Sequence, residues 1–292
     1  MTLAPPSRTA LTAAAARAAH PLVDAPPLIH ADPLTAVLLG EEAEEAEELI
    51  AYHRLHGDHP VLAGARAQVT CRSRFAEARV LAAADRGVDQ YVVLAAGLDS
   101  FAYRRPATAA SVRVFEVDRA PTQRWKVERL AAAGVAVPAD VRHVPADLTT
   151  DDVVDALVAH GLDLARPATV SWLGGTLYVP ADVVASTLAA LSRLAPGSEV
   201  VLDYLVPERL QDDAGRQYAQ AVAPFAAEEG EPWLTLLSPR ELVELELAAG
   251  LDVLEDLDQD AVGDDGALWA GRSDSLRTAR LQRFAVAAVP AR

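Results

Sequence analysis

Two short apolar runs each end in residues able to do chemistry. Residues 91–96 are followed by Gly97-Leu98-Asp99-Ser100, and residues 112–117 lie in VRVFEVD, which carries Glu116 and Asp118. Small residues after a strand let the chain turn sharply and let a ligand approach the backbone. An acid at the tip of the next strand accepts hydrogen bonds from vicinal hydroxyls, which is how α/β nucleotide folds hold a ribose. The competing reading is an ordinary α/β turn with surface acids. Just upstream, CRSRF supplies Arg72 and Arg74. Either guanidinium could clamp a carboxylate with two parallel hydrogen bonds, or could cover apolar surface with its stem. Asp147-Leu148 closes a third short run and could read an adenine amino group.

Other reactive side chains carry less. His53, His56 and His59, with Asp58 between the last two, have spacings that could meet a metal. Three histidines three apart drift round a helix, however, and no matching carboxylate–histidine pattern completes them, so no metal is expected. His30, His143, Asp203, Tyr178 and Tyr204 stand at strand ends or in flanking segments and could take a proton. None has an identifiable partner, and no catalytic base is assigned.

The elements that position these groups alternate. Helices are expected over 8–20, 34–56 and 61–86, the first two joined by the proline-punctuated connector 21–33, which Pro26-Pro27 should keep extended. Strands are expected at 91–96, 112–117, 141–144, 169–173 and 199–205, with helices at 120–133, 153–160 and 180–194 between them. A helix at 239–249 and strands at 251–257 and 281–289 close the chain, the two strands flanking a loop. This pattern predicts a doubly wound, mostly parallel seven-stranded sheet with a late antiparallel hairpin. Residues 207–239 interrupt the alternation, and long connections in compact domains tend to be binding loops or lids. We therefore expect a lid over the site with Tyr218, Phe225 and Trp233 as apolar faces and Gly215 and Gly230 as hinges. The competing reading makes those aromatics a satellite core under a static insertion. The organisation expected is one domain: a helical cap at 1–60, a ligand-binding half at 61–206, the lid at 207–239, and a helix and hairpin at 240–292.

Composition narrows the class of function. The chain has 292 residues, half of them hydrophobic, and a formal net charge of −16. That charge argues against nonspecific nucleic-acid binding. No segment approaches the roughly 20 unbroken apolar residues of a membrane span, and nothing resembles a secretory signal. A single cysteine, Cys71, excludes an internal disulfide framework and fits a reducing cytoplasm. Of the 26 basic residues only Lys126 is a lysine. The acidic run EEAEEAEE at 41–48 reads as a solvated helix face.

Taken together, RSR at 72–74, VLAAGLDSFAYR at 93–104, FEVD at 115–118 with WK at 125–126, ADL at 146–148 and SWLGGTLYVP at 171–180 resemble a known family. It is the class I S-adenosylmethionine-dependent methyltransferases, in particular the leucine carboxyl methyltransferase-like group common in actinobacterial secondary metabolism. The order and spacing agree over about residues 9–207. A dinucleotide enzyme would want GxGxxG, of which LAAGLDSF has only the middle glycine.

The resemblance implies S-adenosylmethionine as cofactor, with S-adenosylhomocysteine as product. It implies Arg72 as the partner of the methionyl carboxylate, with Arg74 second, and Ala95 and Gly97 beneath the methionyl part. Asp118 would be the ribose acid with Glu116 as alternative, and Asp147 and Leu148 the adenine pair. Two positions depart from the family. Ala95 replaces the first glycine of the turn, which negative φ would permit. Leu173 stands where carboxyl methyltransferases of the group often have Glu, so the contact there differs. The implied reaction is methyl transfer to an oxygen of a small-molecule carboxylate, phenol or hydroxyl, in natural-product biosynthesis. Tyr178, Tyr204, Tyr218, Phe225 and Trp233 are the substrate candidates. The alternative is a protein of this fold without transferase activity, acting as a cyclase, a decarboxylase or a structural element.

Overall fold

The computed structural model describes residues 7–39, 44–263 and 267–291, leaving aside the side chains of 44–46. The chain begins with helices α1 (Arg8–Val23), α2 (Pro33–Leu39), α3 (Glu44–His56) and α4 (Pro60–Asp85). Strand β1 (Gln90–Leu94) leads through the short α5 (Phe101–Arg104) to β2 (Arg113–Asp118). Then come α6 (Ala120–Ala132), β3 (Val141–Pro145), α7 (Val153–Ala159), β4 (Thr169–Trp172), α8 (Ala181–Leu191) and β5 (Glu199–Leu205). Helices α9 (Asp213–Glu228) and α10 (Pro239–Ala248) and strands β6 (Asp252–Asp258) and β7 (Gln282–Ala288) complete it.

The strands form one sheet in the order β3-β2-β1-β4-β5-β7-β6. The first five are parallel, and β7 lies antiparallel between β5 and β6. This is the expected doubly wound sheet with its late hairpin. Each inner strand is buried on both sides because successive side chains point to opposite faces. Val92 and Leu94 of β1 join the cluster under α7, α8 and α10, whereas Tyr91 and Val93 face α4 and α5 with Val80 and Phe101. The N-terminal helices form a separate packing unit, in which Leu11, Ala14, Ala15, Ala18 and Leu39 close on Leu98 and Trp125. They thereby sit over the turn after β1 and over α6.

Of the stretch 34–56, expected as one helix, α2 and α3 are the described helical parts, and residues 40–43 between them lie outside the described residues. Part of the acidic run, 41–43, also lies outside the described residues, while Glu47 and Glu48 are exposed. The connector between α1 and α2 carries a cis Pro26–Pro27 bond.

Charged groups are buried where this cap meets the body. Arg66 of α4 donates to both oxygens of Asp24, at 2.7 and 2.9 Å, and to the Gly57 carbonyl at 2.8 Å. His20 Nδ1 bonds Asp24 at 2.8 Å while Ile29 N–H bonds His20 Nε2 at 3.0 Å. His53 is buried against Arg66, and burial first, then the like charge of Arg66, pushes its imidazole down to about 4. The lone lysine is equally enclosed. Lys126 is 1 % exposed, with its ammonium 2.9 Å from Glu116 and over the Tyr103 ring.

Candidate active site

A cavity of about 640 Å³ opens at the carboxyl ends of β1, β2, β3 and β4, roofed by α1 and by the segment after α9. Its floor is the turn after β1. Ala96 N–H bonds the Val117 carbonyl at 3.0 Å, and Gly97 N–H bonds Asp118 Oδ2 at 2.7 Å. The other Asp118 oxygen accepts from Arg119 N–H at 2.7 Å. Two backbone amides thus fix the carboxylate at the tip of β2, facing the cavity.

That turn has two left-handed residues, Gly97 at φ 43 and one that is not a glycine. Ala95 has φ 51, so the negative φ that would accommodate its methyl without strain is not the one it adopts. The tight reversal that joins Ala96 and Gly97 to the end of β2 demands the left-handed conformation even with a methyl present. Such backbone costs an L-residue roughly 1–2 kcal/mol. Ala95→Gly should therefore raise the unfolding free energy by about 1 kcal/mol, less the added freedom of the unfolded chain. A urea midpoint that moves downward would show that the methyl's packing at the cavity floor outweighs the strain.

Arg72 and Arg74, both open from sequence, are separated by the fold. Arg74 donates to the Ile29 carbonyl at 3.1 Å and does not line the cavity. Arg72 lines it and makes no hydrogen bond or ion pair among the described residues. Its guanidinium lies against the turn after β4. A Cβ built on Gly174 would sit 2.2 Å from Arg72 Nη1, and Gly174 has φ 64, so only glycine fits on both counts. Asp203 at 2 % exposure accepts from Gly174 N–H and from Gln282 at 2.6 Å, so it holds this turn rather than facing the cavity. Beside it, the buried indole N–H of Trp172, also in the cavity wall, has no hydrogen-bond partner.

Asp147 and Leu148 line the β3 end, where the amide and hydroxyl of Thr149 hold the Asp147 carboxyl below the usual range. Leu173, Gly97 and Tyr178 line the cavity as well. Glu116 does not. It is 1 % exposed and engaged by Lys126 at 2.9 Å and by the Tyr103 hydroxyl at 2.9 Å, and burial raises its carboxyl. Glu116 is thus a member of the packed sheet and not an alternative to Asp118.

Four of the five substrate candidates are likewise elsewhere. The Tyr204 hydroxyl bonds Asp256 at 2.9 Å and Arg283 at 3.1 Å at the far end of the sheet. Tyr218 lies on α4 at Gly64 and packs with Trp233, Leu177, Leu205 and Leu281. Phe225 lies under the Arg8 guanidinium, 5.8 Å from its ring centroid. None of these four lines the cavity. The expected hinges are also fixed: Gly215 lies inside α9, where a Cβ would meet the Arg280 carbonyl at 2.7 Å, and Gly230 ends that helix. Residues 207–239 do reach the cavity, through Gly230, Glu231, Pro232 and Leu234.

The remaining proton-acceptor candidates serve the scaffold. His143 bonds the Tyr103 hydroxyl at 3.1 Å, and His30 lies 3.2 Å from Glu77. No cluster able to hold a metal exists among the described residues, and His59 instead caps α4. No helix among the described residues is long and apolar enough to cross a membrane.

Sequence reasoning missed what α1 contributes. Arg17 lines the cavity, donates to the Leu98 carbonyl at 2.5 Å and to Thr35 at 2.7 Å, and lies 3.1 Å from Asp32. Burial works to raise the Asp32 carboxyl, but the guanidiniums of Arg17 and Arg104 hold it down at about 2. The break of the alanine run by Arg17 was the available signal.

Residues 10–192 match the family model described as leucine carboxyl methyltransferase. A Bacillus subtilis protein, YktD, is 32 % identical over 191 residues, 65 % of this chain and 62 % of its own length. A Mycobacterium bovis protein is 37 % identical over 212 residues, 69 % and 65 % of the two lengths. Both names assign those proteins provisionally to the S-adenosyl-L-methionine-dependent methyltransferases. The chain spans less than two thirds of the length of these curated relatives. Among solved structures, a DUF574 family protein from Streptomyces avermitilis aligns with TM-score 0.59 at 20 % identity, covering 94 % of this chain and 97 % of that one. A Thermobifida fusca structure aligns with the same TM-score at 22 % identity over 88 % and 92 %. These two likenesses concern the fold, and it is the one reached from the strand order. The matched stretch runs from α1 to the end of α8 and so includes Arg72, the turn at Ala95 and Asp118; on that match the chain belongs to the leucine carboxyl methyltransferase family.

Proposed function

We propose that this protein is an S-adenosylmethionine-dependent methyltransferase that methylates an oxygen of a small molecule in natural-product biosynthesis, in the cytoplasm and without nucleic-acid partners. The observation that carries the reading is the pairing of two unlike ends in one cavity. Asp118 presents a carboxylate already held by two amides, and Arg72 presents a guanidinium with no partner among the described residues. An adenosyl group with vicinal hydroxyls suits the first, and an amino-acid carboxylate suits the second. Asp147 and Leu148 would meet the adenine, and Ala95 and Gly97 would floor the methionyl chain.

When bound, the cofactor supplies an activated methyl group on a sulfonium. The chain's own part is to hold, to align and to exclude water. The amides of Gly97 and Arg119 keep Asp118 oriented before any ligand arrives, and Arg17 ties α1 down over Leu98. The segment after α9 closes the remaining side.

Calorimetry with S-adenosylhomocysteine tests the reading. Wild type should bind it, and Arg72→Lys should bind it about 10-fold or more weakly, since a point charge cannot replace the bidentate fork. A decarboxylated analogue should bind both proteins nearly equally. Absence of binding to wild type would end the methyltransferase reading, and an unchanged preference in the variant would move the clamp away from Arg72.

A further inference from the structure

Four carboxylates border the cavity: Asp99, Asp118, Asp147 and Glu231. Three of them belong to the strand ends and are engaged there. Asp99 caps Phe101 N–H at 2.9 Å, Asp118 holds two amides, and Asp147 holds the amide and hydroxyl of Thr149. Among the described lining residues Glu231 is the one acid that comes from the opposite wall. Thr9, Tyr178 and Leu234 line the cavity with it, and Thr9 is its hydrogen-bond partner.

Its backbone is fixed. Helix α9 ends at Gly230 with φ 79, and Glu231 N–H reaches back to the Ala226 carbonyl at 2.8 Å, a helix ending that favours glycine at that position. Three residues on, Leu234 N–H bonds the Leu177 carbonyl at 2.7 Å, and the Thr235 hydroxyl bonds the Val179 carbonyl at 2.6 Å. The side chain is held as well, because the Thr9 hydroxyl of α1 donates to Glu231 Oε2. Oε1 accepts no hydrogen bond among the described residues.

We infer that Glu231 sets the acceptor class: the protein methylates a hydrogen-donating hydroxyl, phenolic or alcoholic, and not a carboxylate. The inference rests on the methyltransferase reading. If Arg72 is taken up by the amino-acid carboxylate of the cofactor, with Arg17 paired to Asp32 and Arg119 beside Asp147, the charged group of the opposite wall that remains for the acceptor is the carboxylate of Glu231. A second carboxylate there meets like charge at close quarters and is disfavoured. A hydroxyl instead donates to Oε1. As the new O–CH3 bond forms, the S–CH3 bond breaks and its electron pair stays on sulfur as a neutral thioether. The hydroxyl proton passes to Oε1 and then to solvent.

The test uses the full chain with methyl-labelled S-adenosylmethionine and a small-molecule extract of the cells it comes from. Label transferred by wild type should survive alkaline hydrolysis, as methyl ethers do and methyl esters do not. Glu231→Gln should lower that label by about tenfold or more while binding S-adenosylhomocysteine within about twofold of wild type. In a second arm, 4-methoxyphenol and 4-methoxybenzoate are titrated into protein saturated with S-adenosylhomocysteine. Wild type should prefer the phenol, and Glu231→Arg should reverse the preference. Alkali-labile label, no label, or a benzoate preference in wild type overturns the inference, as does a preference that Glu231→Arg leaves unchanged. Any of these with S-adenosylhomocysteine still bound leaves the methyltransferase reading standing, whereas loss of that binding from wild type defeats both.

Discussion

Arg66→Met should cost about 3–5 kcal/mol of folding stability, because it leaves a buried carboxylate without its main partner. Arg66 is fully buried and gives Asp24 two hydrogen bonds and the Gly57 carbonyl a third. Burial works to raise the Asp24 carboxyl, but bonds from His20 and Arg66 hold it below the usual range. A carboxylate of this kind stabilises the fold above its unfolded value and loses that contribution as pH falls through its folded one. His53 acts in the same direction, since below its ordinary 6.5 the unfolded chain takes up a proton that the buried ring refuses until about 4. The contributions of Asp24 and His53 to wild-type stability should thus shrink on acidification, that of His53 from about pH 6.5 downward. Urea midpoints check the substitution, and Asp24→Asn combined with Arg66→Met should recover part of the loss. A loss under about 1 kcal/mol would mean that the pair contributes little beyond its own desolvation.

Glu246→Gln should flatten the alkaline side of the same stability curve. Glu246 on α10 is 1 % exposed, and neither carboxylate oxygen has a hydrogen-bond partner. Burial first, and then the charge of Asp256, pushes its carboxyl from 4.5 up to about 7. The folded state therefore keeps the proton that the unfolded chain gives up, so stability falls between those two values and levels off above the higher one. Wild type should lose roughly 2 kcal/mol from this group between pH 5 and pH 8. The amide cannot ionise, and the variant should lack that decline, whatever fixed cost its own unpaired amide adds at every pH. Chemical denaturation at the two pH values measures the difference directly. Equal declines in both proteins would mean that water reaches Glu246 in the folded state.

The sheet was legible because its inner strands are short, unbroken apolar runs separated by helices with clear ends. The residues of the cavity were legible only in part. Glu116 and Asp118 are two apart on β2, so strand periodicity puts them on the same face and cannot choose between them. Depth along the strand decides. Asp118 stands at the tip, where backbone amides and the cavity meet it, whereas Glu116 is one pleat further in and meets Lys126. Ala95 looked compatible with an ordinary backbone because composition does not report φ, and the reversal that demands φ 51 depends on where β2 ends. The aromatics of residues 207–239 were picked for their apolar surface, yet that surface is what packs Tyr218 and Trp233 against Leu177 and Leu281. Glu231 was hidden in a run of glutamates, and only the glycine and proline around it hint that the chain turns there.

The enclosure of Lys126 also bears on how the molecule meets reagents. It is the one lysine in 292 residues, and it is sealed between α6 and β2. Reagents that acylate or crosslink lysine amines have no lysine to find on the folded surface, and enzymes that modify lysine meet the same refusal. Its ammonium becomes available only when α6 lifts from the sheet, an opening of the kind that local unfolding supplies. The rate at which Lys126 is acylated is therefore a clock for the opening of the wall beside Asp118.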